Sequence, residues 1–282
     1  QQVLDYFKIK SRKKANLAPW KKITKIVLTS KQSVNIAVIG KYVNLKDAYK
    51  SLDEALTHGG IKNNLQVNLV RIESDNLNPA DVKKKLTGIH GVLIPGGFGK
   101  RGTEGKIAAI QFARVNKIPF LGICFGMQMA VIEFARNVLK IKNVSSSEIS
   151  KNCIPLVGLI NEWNRDGKLQ KGTDKVLGGT MRLGLYPAKL KDNSLIRKIY
   201  KSKIIQERHR HRYEVNINYQ KQFEEKKMVF SGISPDNKLP EVIEYKNHPW
   251  FIGVQFHPEF RSRPLLPHPL FSSFIAAAKK YK

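Results

Sequence analysis

A cysteine set between two glycines is the residue of this chain best suited to act as a nucleophile. Cys124 stands at the centre of the segment 122–126, Gly-Ile-Cys-Phe-Gly, between an apolar run typical of a buried strand and an apolar-striped helical segment. This pattern at a strand-to-helix turn predicts a nucleophile elbow, in which a tight turn lifts the side chain above the sheet. The amino end of the following helix favours negative charge there. We therefore predict that Cys124 is a nucleophile, and that the other cysteine, Cys153, is a small buried apolar residue.

A histidine at the end of another apolar segment supplies the base that a cysteine nucleophile needs. His257 comes directly after residues 251–256, and Glu259 lies two positions further on. An imidazole can accept the thiol proton and later protonate the leaving group. A carboxylate can orient the imidazole, as the third member of a triad does. Two other histidines also precede prolines, but neither follows an apolar strand. The pattern predicts a triad of Cys124, His257 and Glu259.

A glycine-rich loop is suited to hold a developing oxyanion. Residues 95–99, Pro-Gly-Gly-Phe-Gly, follow directly after an apolar strand-like run. Backbone N–H groups in such a loop can point at an oxyanion, and glycine lets a substrate approach closely. Taken alone, the loop is as consistent with a plain turn. Beside the other two motifs, we predict the N–H groups of Gly97 and Phe125, the residue after the nucleophile, as oxyanion donors for acyl transfer.

Strand and helix patterns alternate along the chain and place these motifs at strand ends. Apolar runs rich in β-branched residues predict strands, and apolar positions at helical spacing predict helices. The predicted strands cover 34–40, 65–72, 91–95, 118–123 and 250–256; the predicted helices cover 20–28, 102–116, 127–139, 269–279 and a segment from near Asp47 that Gly59 and Gly60 end. We expect an α/β fold with a mainly parallel central sheet and helices on both faces. Sites in such sheets gather at the carboxyl ends of the strands.

The first 33 residues differ from the rest of the chain. They contain a basic run at 11–14 and one short predicted helix, without strand alternation. We expect an arm or linker over residues 1–33 and a single domain over 34–282. A start at glutamine, without the apolar core of a signal peptide, suggests a fragment of a longer protein.

Charge and composition exclude several classes of function. The net charge is +28, but lysines spread along the whole chain account for most of it, so we expect solvated faces and no nucleic acid as partner. No apolar run approaches the roughly 18 to 20 residues that span a bilayer, so no membrane is expected. With only two cysteines, we expect no disulfide framework and a reducing, cytoplasmic setting. No metal site is expected.

Together the three motifs resemble the sequence blocks of triad-type, class I glutamine amidotransferases. Within that group the chain is similar to CTP synthases, over roughly residues 34–275. The further similar segments are 40–42, 47–51, 101–106, 178–184, 207–216 and 261–264. The resemblance implies a class I glutamine amidotransferase-like fold over 34–282 and hydrolysis of L-glutamine to glutamate and ammonia.

The same resemblance implies how glutamine is held. It places Gln128, Glu148 and Arg212 against the substrate and the aromatic Phe98 alongside it. The chemistry agrees, because a zwitterionic amino acid needs a carboxylate for its ammonium group and a guanidinium for its carboxylate. For residues 208–213, a basic surface strand is the alternative to substrate contact.

Partners and effectors follow from the resemblance as well. It implies that ammonia passes to a synthase domain of the same polypeptide, which converts UTP to CTP with ATP and Mg²⁺. No Gly-rich nucleotide loop with lysine occurs in this chain, so residues 1–33 are expected to be the end of that domain or its linker. No cofactor is expected within 34–282. GTP is expected as an allosteric activator, with the loop 101–104 taking part, and the full-length protein is expected to be a homo-oligomer.

Two other functions remain open from the sequence. One is a related enzyme, either an amidotransferase domain of another synthase or a stand-alone γ-glutamyl hydrolase; the blocks outside the catalytic motifs argue against it. The other is a catalytically idle regulatory or assembly domain. Such a domain would commonly have lost a triad member, whereas all three are present. Segment 161–176 matches no pattern with a function.

Overall fold

The computed structural model describes residues 2–10, 15–41, 45–159, 162–165, 168–171 and 181–282. Its helices are α1 (Gln2–Tyr6), α2 (Ala18–Thr29), α3 (Lys50–Lys62), α4 (Pro79–Lys85), α5 (Thr103–Val115), α6 (Phe125–Asn137), α7 (Leu195–Tyr200), α8 (Gln220–Glu225) and α9 (Pro269–Tyr281). Short 3-10 helices cover Lys46–Tyr49, Ile217–Tyr219 and Pro258–Arg261. The basic run 11–14, Tyr42, residues 178–180 and half of segment 161–176 lie outside the described residues.

The strands belong to three sheets within the described residues. They are β1 (Ser33–Gly40), β2 (Gln66–Glu73), β3 (Gly91–Ile94), β4 (Phe120–Ile123), β5 (Val144–Ser146), β6 (Ile154–Leu159), β7 (Glu162–Arg165), β8 (Lys168–Lys171), β9 (Arg182–Leu190), β10 (Ile204–His211), β11 (Tyr213–Val215), β12 (Met228–Ile233), β13 (Pro240–Tyr245) and β14 (Phe251–Val254). The small sheets are β11-β6-β5 and the pair β7-β8.

The main sheet is mixed. Its nine strands, counted within the described residues, stand in the order β10-β9-β12-β13-β14-β4-β3-β1-β2. In the half of the sheet β14-β4-β3-β1-β2, each strand runs parallel to its neighbours. In the other half, β10-β9-β12-β13-β14, each strand runs antiparallel to its neighbours. The predicted α/β fold is confirmed, and the parallel arrangement holds for the five neighbouring strands β2, β1, β3, β4 and β14. The connection between β12 and β13, residues 234–239, is too short for the crossover that parallel neighbours need.

Helices cover both faces of this sheet, as predicted. Alternate side chains of β1 enter two separate apolar clusters, because successive residues of a strand point to opposite faces. Ile39 packs in a cluster with Phe134 of α6, and Val38 packs in the other with Phe274 of α9. All four side chains are fully buried. The parallel strands are therefore held between two helical layers, which fixes the position of their carboxyl ends.

Helix boundaries differ from the sequence prediction at two places. The helix expected from Asp47 starts as a 3-10 turn, and α3 then continues through Gly59 and Gly60, so the prediction that these glycines end it is wrong. A Cβ at Gly59 would lie 2.8 Å from the carbonyl oxygen of Phe271, so the glycine permits close packing against α9. The short helix α4 was not predicted, although Asn78 caps it and Pro79 opens it.

The predicted helix at 20–28 is confirmed as α2. None of its residues is buried. Two hydrogen bonds join its end to the start of β2 and the turn before it, from Gln66 Nε2 to the Val27 carbonyl (3.1 Å) and from Ser30 Oγ to the Asn64 carbonyl (3.1 Å). Among the described residues, no helix combines the length and apolar character needed to cross a bilayer.

Candidate active site

Three neighbouring parallel strands carry the three sequence motifs. In the main sheet β4 lies between β3 and β14, and all three run in the same direction. The glycine-rich loop follows β3, Cys124 follows β4, and His257 comes three residues after β14. Parallel strands end at one edge of a sheet, so the motifs meet there.

Cys124 occupies a strained turn between β4 and α6. Its backbone angles are φ 51° and ψ −103°, a region that a non-glycine residue rarely adopts. A Cβ at Gly122 would lie 2.7 Å from the backbone of Gly126, and one at Gly126 would collide with the carbonyl oxygen of Ile94. Both flanking glycines are thus required by close backbone approach, and the turn has the geometry of a nucleophile elbow.

His257 is held between Cys124 and Glu259. Its Nδ1 lies 2.7 Å from Glu259 Oε1, and only 13% and 10% of the two side chains are exposed. Burial alone would lower the pKa of His257. The negative charge of the Cys124 thiolate, a hydrogen bond to it and the bond to Glu259 overcome this and raise the pKa to about 10. Beside a Cys124 thiolate, the imidazole therefore keeps its proton at neutral pH.

A cavity of about 570 Å³ opens in front of this pair. Its walls include Cys124, His257 and most of the residues predicted to contact a substrate, namely Gly97, Phe98, Gln128, Glu148 and Arg212. Glu259 lies behind His257, in the wall of a neighbouring cavity of about 190 Å³. Phe125 is buried, and its side chain lines a smaller cavity of about 140 Å³ on the other side of the glycine-rich loop. The structure thus brings all nine predicted residues to one edge of the sheet.

The glycine-rich loop is fixed by charged side chains of opposite sign. Lys41 Nζ donates to the carbonyl oxygen of Phe98 (2.6 Å), and the N–H of Gly99 donates to Glu148 Oε1 (2.8 Å). Both groups belong to the peptide unit that joins Phe98 to Gly99, directly after Gly97. The N–H of Phe125, in the first turn of α6, has no acceptor within its own helix. The two predicted oxyanion donors therefore come from a clamped loop and a helix amino terminus.

Glu148 and Arg212 bring opposite charges to the same cavity. Burial raises the pKa of Glu148, while the bond from Gly99 and the charge of Lys41 work against that rise. Arg212 Nη1 is buried and has no hydrogen-bond partner within the described part of the chain. A buried guanidinium nitrogen without an acceptor costs free energy that an anion in the cavity would recover.

The side-chain NH₂ group of Gln128 donates both of its hydrogens to protein acceptors. Its Nε2 donates to the carbonyl oxygen of Tyr213 (2.9 Å) and to Gln255 Oε1 (3.2 Å). Gln255 in turn donates from Nε2 to Cys124 Sγ (3.5 Å) and is completely buried. Gln255 was not among the predicted site residues. Its signal was present: a polar residue in an apolar strand segment, two positions before His257 and so on the same face.

Residues 208–213 combine the two alternatives weighed for them. Arg208 and Arg210 of β10 are exposed, whereas His209 and His211 point inward. Burial, followed by the charge of Arg182, lowers the pKa of both histidines, so they are neutral. Arg210, His211 and Arg212 line the large cavity. The segment is therefore a basic strand with alternately exposed and buried side chains, and residues 210–213 form part of the cavity wall.

A buried ionic cluster supports this wall from behind. Arg182 Nη1 lies 2.9 Å from Glu214 Oε1 and 2.8 Å from Glu241 Oε1, and all three side chains are almost completely buried. The backbone of Glu241 makes a further contact, since its carbonyl oxygen accepts from the N–H of Gln255 at 2.9 Å. The cluster thus ties β9, β11 and β13 to the segment that leads to His257.

Cys153 is not the buried residue that was predicted. It is partly exposed, and its Sγ donates to the carbonyl oxygen of Ser150 (3.0 Å). It lies in the connection between β5 and β6 and lines a separate surface cavity, which explains its partial exposure. Among the described residues, no group of three His, Cys, Asp or Glu side chains is arranged to hold a metal ion.

Comparison with known proteins agrees with this geometry. A family model described as "Glutamine amidotransferase class-I" matches residues 44–277. A CTP synthase of Pelagibacter ubique (strain HTCC1062) is 74% identical over 281 residues, which is 100% of this chain and 52% of that relative. A CTP synthase of Beijerinckia indica is 55% identical over 279 residues, covering 99% of this chain and 52% of the relative. The chain therefore spans about half the length of the curated relatives that it matches.

A solved structure agrees over a similar range. It is the glutaminase domain of a Trypanosoma brucei CTPS with bound acivicin, with a TM-score of 0.79 and 36% sequence identity. The match covers 88% of this chain and 94% of that domain. The similarity thus extends over nearly the whole of a protein domain that was solved by itself.

Proposed function

The chain belongs to the class I glutamine amidotransferases, and we propose that it hydrolyses L-glutamine to glutamate and ammonia with Cys124 as nucleophile. One observation carries this proposal. A single cavity holds a thiol–imidazole pair and, on its walls, both a carboxylate and a guanidinium. A nucleophile for an acyl group therefore faces two charged groups complementary to the ends of an amino acid.

The substrate is held by its charged groups under this proposal. Glu148 binds the ammonium group and Arg212 the carboxylate, whose oxygens satisfy the buried Nη1. Gln128 presents its carbonyl oxygen to the cavity, because both hydrogens of its Nε2 are already donated to protein acceptors. That oxygen accepts an N–H of the substrate. Phe98, 70% exposed at the cavity mouth, lies alongside.

Acylation follows from the charge state of the pair. The Cys124 thiolate attacks the side-chain amide carbon, and the N–H groups of Gly97 and Phe125 hold the resulting oxyanion. His257 already carries the proton, which it gives to the departing nitrogen as the C–N bond breaks. Glu259 keeps the imidazole oriented through its 2.7 Å hydrogen bond. Ammonia leaves and a γ-glutamyl thioester remains on Cys124.

Hydrolysis of the thioester uses the same groups in reverse. His257, now neutral, takes a proton from water, and the oxygen attacks the thioester carbon with the oxyanion in the same site. The C–S bond breaks, glutamate is released, and the thiolate–imidazolium pair is restored. Hydrolysis consumes one water and needs no other reactant.

The fate of the ammonia extends the proposal beyond this chain. CTP synthases are about twice as long as the chain, so we propose that ammonia passes to a synthase domain of the same polypeptide, which makes CTP from UTP with ATP and Mg²⁺. Residues 1–33 then form the linker and 34–282 the glutaminase domain. The same proposal includes activation by GTP and a homo-oligomeric full-length protein. It also includes a cytoplasmic setting, because both cysteines are unpaired.

Covalent labelling tests the glutaminase assignment directly. The chain is incubated with 6-diazo-5-oxo-norleucine, a glutamine analogue that alkylates amidotransferase cysteines, and its intact mass is measured before peptide mapping. Cys124→Ala serves as the control variant. Since the T. brucei domain binds acivicin, pre-incubation with acivicin serves as a competition arm. We expect a single adduct on Cys124 that is absent in the variant and reduced by acivicin.

Other outcomes separate the alternatives. Equal labelling of Cys153 would show general thiol reactivity and no formed glutamine site. No labelling, even with the synthase half joined to the chain and GTP added, would refute the glutaminase assignment and favour an idle assembly domain. Labelling of Cys124 together with hydrolysis of γ-glutamyl peptides at the rate of free glutamine would favour a γ-glutamyl hydrolase.

A further inference from the structure

Two side-chain amides connect a backbone carbonyl to the nucleophile in a hydrogen-bonded row beneath the cavity. The row runs from the carbonyl oxygen of Tyr213 through Gln128 and Gln255 to Cys124 Sγ, with donor–acceptor distances of 2.9, 3.2 and 3.5 Å. Gln128 and Gln255 are 3% and 0% exposed, and Cys124 is 5% exposed. The nucleophile therefore has a second polar neighbour besides His257, and this neighbour is completely buried.

The carbonyl group of Tyr213 fixes the direction of donation along this row of hydrogen bonds. A backbone carbonyl can only accept, so Gln128 must turn its NH₂ group toward Tyr213. The second hydrogen of that NH₂ group then goes to Gln255, which must meet it with its own oxygen. This leaves the NH₂ group of Gln255 facing the sulfur. The hydrogen bonds therefore set the orientation of both amides, and Gln255 presents an N–H donor to the sulfur.

A donor in this position favours one state of the sulfur. A thiolate accepts hydrogen bonds far better than a thiol, and in a buried site the difference is not levelled by water. The backbone of Gln255 is itself fixed, since its N–H donates to the carbonyl oxygen of Glu241 (2.9 Å). The N–H of Cys124 likewise donates to the Val254 carbonyl (2.7 Å). Donor and sulfur are therefore held by adjacent strands with little freedom to separate.

We propose that Gln255 is a further catalytic residue, which stabilises and orients the Cys124 thiolate through its side-chain N–H. The assignment rests on the proposed function only in that Cys124 is the nucleophile. Cys124 Sγ then has two side-chain hydrogen-bond donors, His257 and Gln255, which together restrict the orientation of the sulfur. Gln128 serves both substrate and nucleophile, because the same amide contacts the cavity and orients Gln255.

The pH dependence of alkylation tests this role. The 282-residue chain is treated with iodoacetamide, which requires a thiolate but no glutamine site, and the modification of each cysteine is followed by peptide mass. Gln255→Met removes the donor at similar volume, and Gln255→Glu replaces it with an acceptor of the same shape. Gln128→Met leaves Gln255 in place but removes the group that orients it. Cys153, partly exposed and outside the site, is the internal control.

We expect the pH of half-maximal Cys124 alkylation to rise by about 1 to 2 units in Gln255→Met. The rise is larger in Gln255→Glu and smaller in Gln128→Met, while Cys153 is unchanged. The rate at high pH is undiminished, because a more basic thiolate is at least as nucleophilic. A residue with only a structural role would instead lower the rate at every pH and lower the Tm without moving the midpoint.

Two results would overturn the inference. One is a Cys124 profile that superimposes on that of the unmodified chain in the variants that fold. The other is an equal shift at Cys153. Should both Gln255 variants fail to fold, an unmoved midpoint in Gln128→Met refutes the orientation argument by itself. None of these readouts uses glutamine, so loss of the glutaminase assignment in the labelling experiment is a separate outcome.

Discussion

Replacement of Glu259 by glutamine separates the charge of the third triad member from its shape. The Glu259 carboxylate accepts from His257 Nδ1 at 2.7 Å, and the two side chains are 10% and 13% exposed. In Glu259→Gln the new amide carries no charge, and its NH₂ group can face Nδ1 as a donor. An imidazole that accepts at Nδ1 carries its proton on Nε2, so it cannot take the proton of the Cys124 thiol. The variant should keep the fold and lose both the charge and the orientation of the base.

The magnitude follows from the bond that is lost. A hydrogen bond to a charged group contributes about 1.5–3 kcal/mol, and about 1.4 kcal/mol corresponds to a factor of ten in rate. We therefore expect kcat for glutamine hydrolysis to fall about 10- to 150-fold. KM should change less than about threefold, because Glu259 is not among the described residues that line the large cavity. Since Glu259 helps to raise the pKa of His257 to about 10, the basic limb of the kcat profile should move to lower pH.

Ammonia release in a coupled assay, measured across pH, gives kcat and KM for both proteins. Glu54→Gln is the matched control: Glu54 lies 3.8 Å from His58 at the protein surface, another carboxylate–histidine pair, and is 61% exposed. We expect no change in kcat there. A Glu259→Gln enzyme with kcat within about twofold of the unmodified chain, or with an unmoved basic limb, would refute the role assigned to this carboxylate.

Three further predictions concern the substrate site and the elbow. Arg212→Met and Glu148→Gln should each raise KM for glutamine about 10- to 100-fold and leave iodoacetamide alkylation of Cys124 unchanged; a fall in kcat alone would contradict their binding role. Because burial raises the pKa of Glu148, its carboxylate is neutralised at a higher pH than usual on acidification, so KM should rise as pH falls, and Glu148→Gln should abolish that dependence. Gly126→Ala should lower the free energy of unfolding by about 1–3 kcal/mol, because a Cβ there collides with the β3 backbone. Gly158→Ala is the control and should leave stability unchanged, because the nearest neighbour of its Cβ lies 4.0 Å away. Equal Tm values for the two variants would count against the elbow geometry.

Much of the catalytic core was predictable because its signals are local. The glycines around Cys124 mark a turn that only small residues permit, and the strand before it is a continuous apolar run. His257 follows an apolar strand in the same manner. Each motif could be assigned to a strand end from nearest-neighbour chemistry alone, and parallel strands place such ends together. The boundaries were less predictable, since α3 continues through Gly59, which packs against the distant Phe271 of α9.

The sequence by itself determined the α/β alternation, the position of Cys124 and His257 after strands, and the family to which these motifs belong. Only the tertiary structure decided that the sheet is half antiparallel, that Cys153 is partly exposed, and that Gln255 donates to the nucleophile. These features depend on contacts between residues far apart in the chain, such as Tyr213 with Gln128. The direction of a side-chain hydrogen bond is set by the acceptor that it meets, and that acceptor is chosen by packing, not by local sequence.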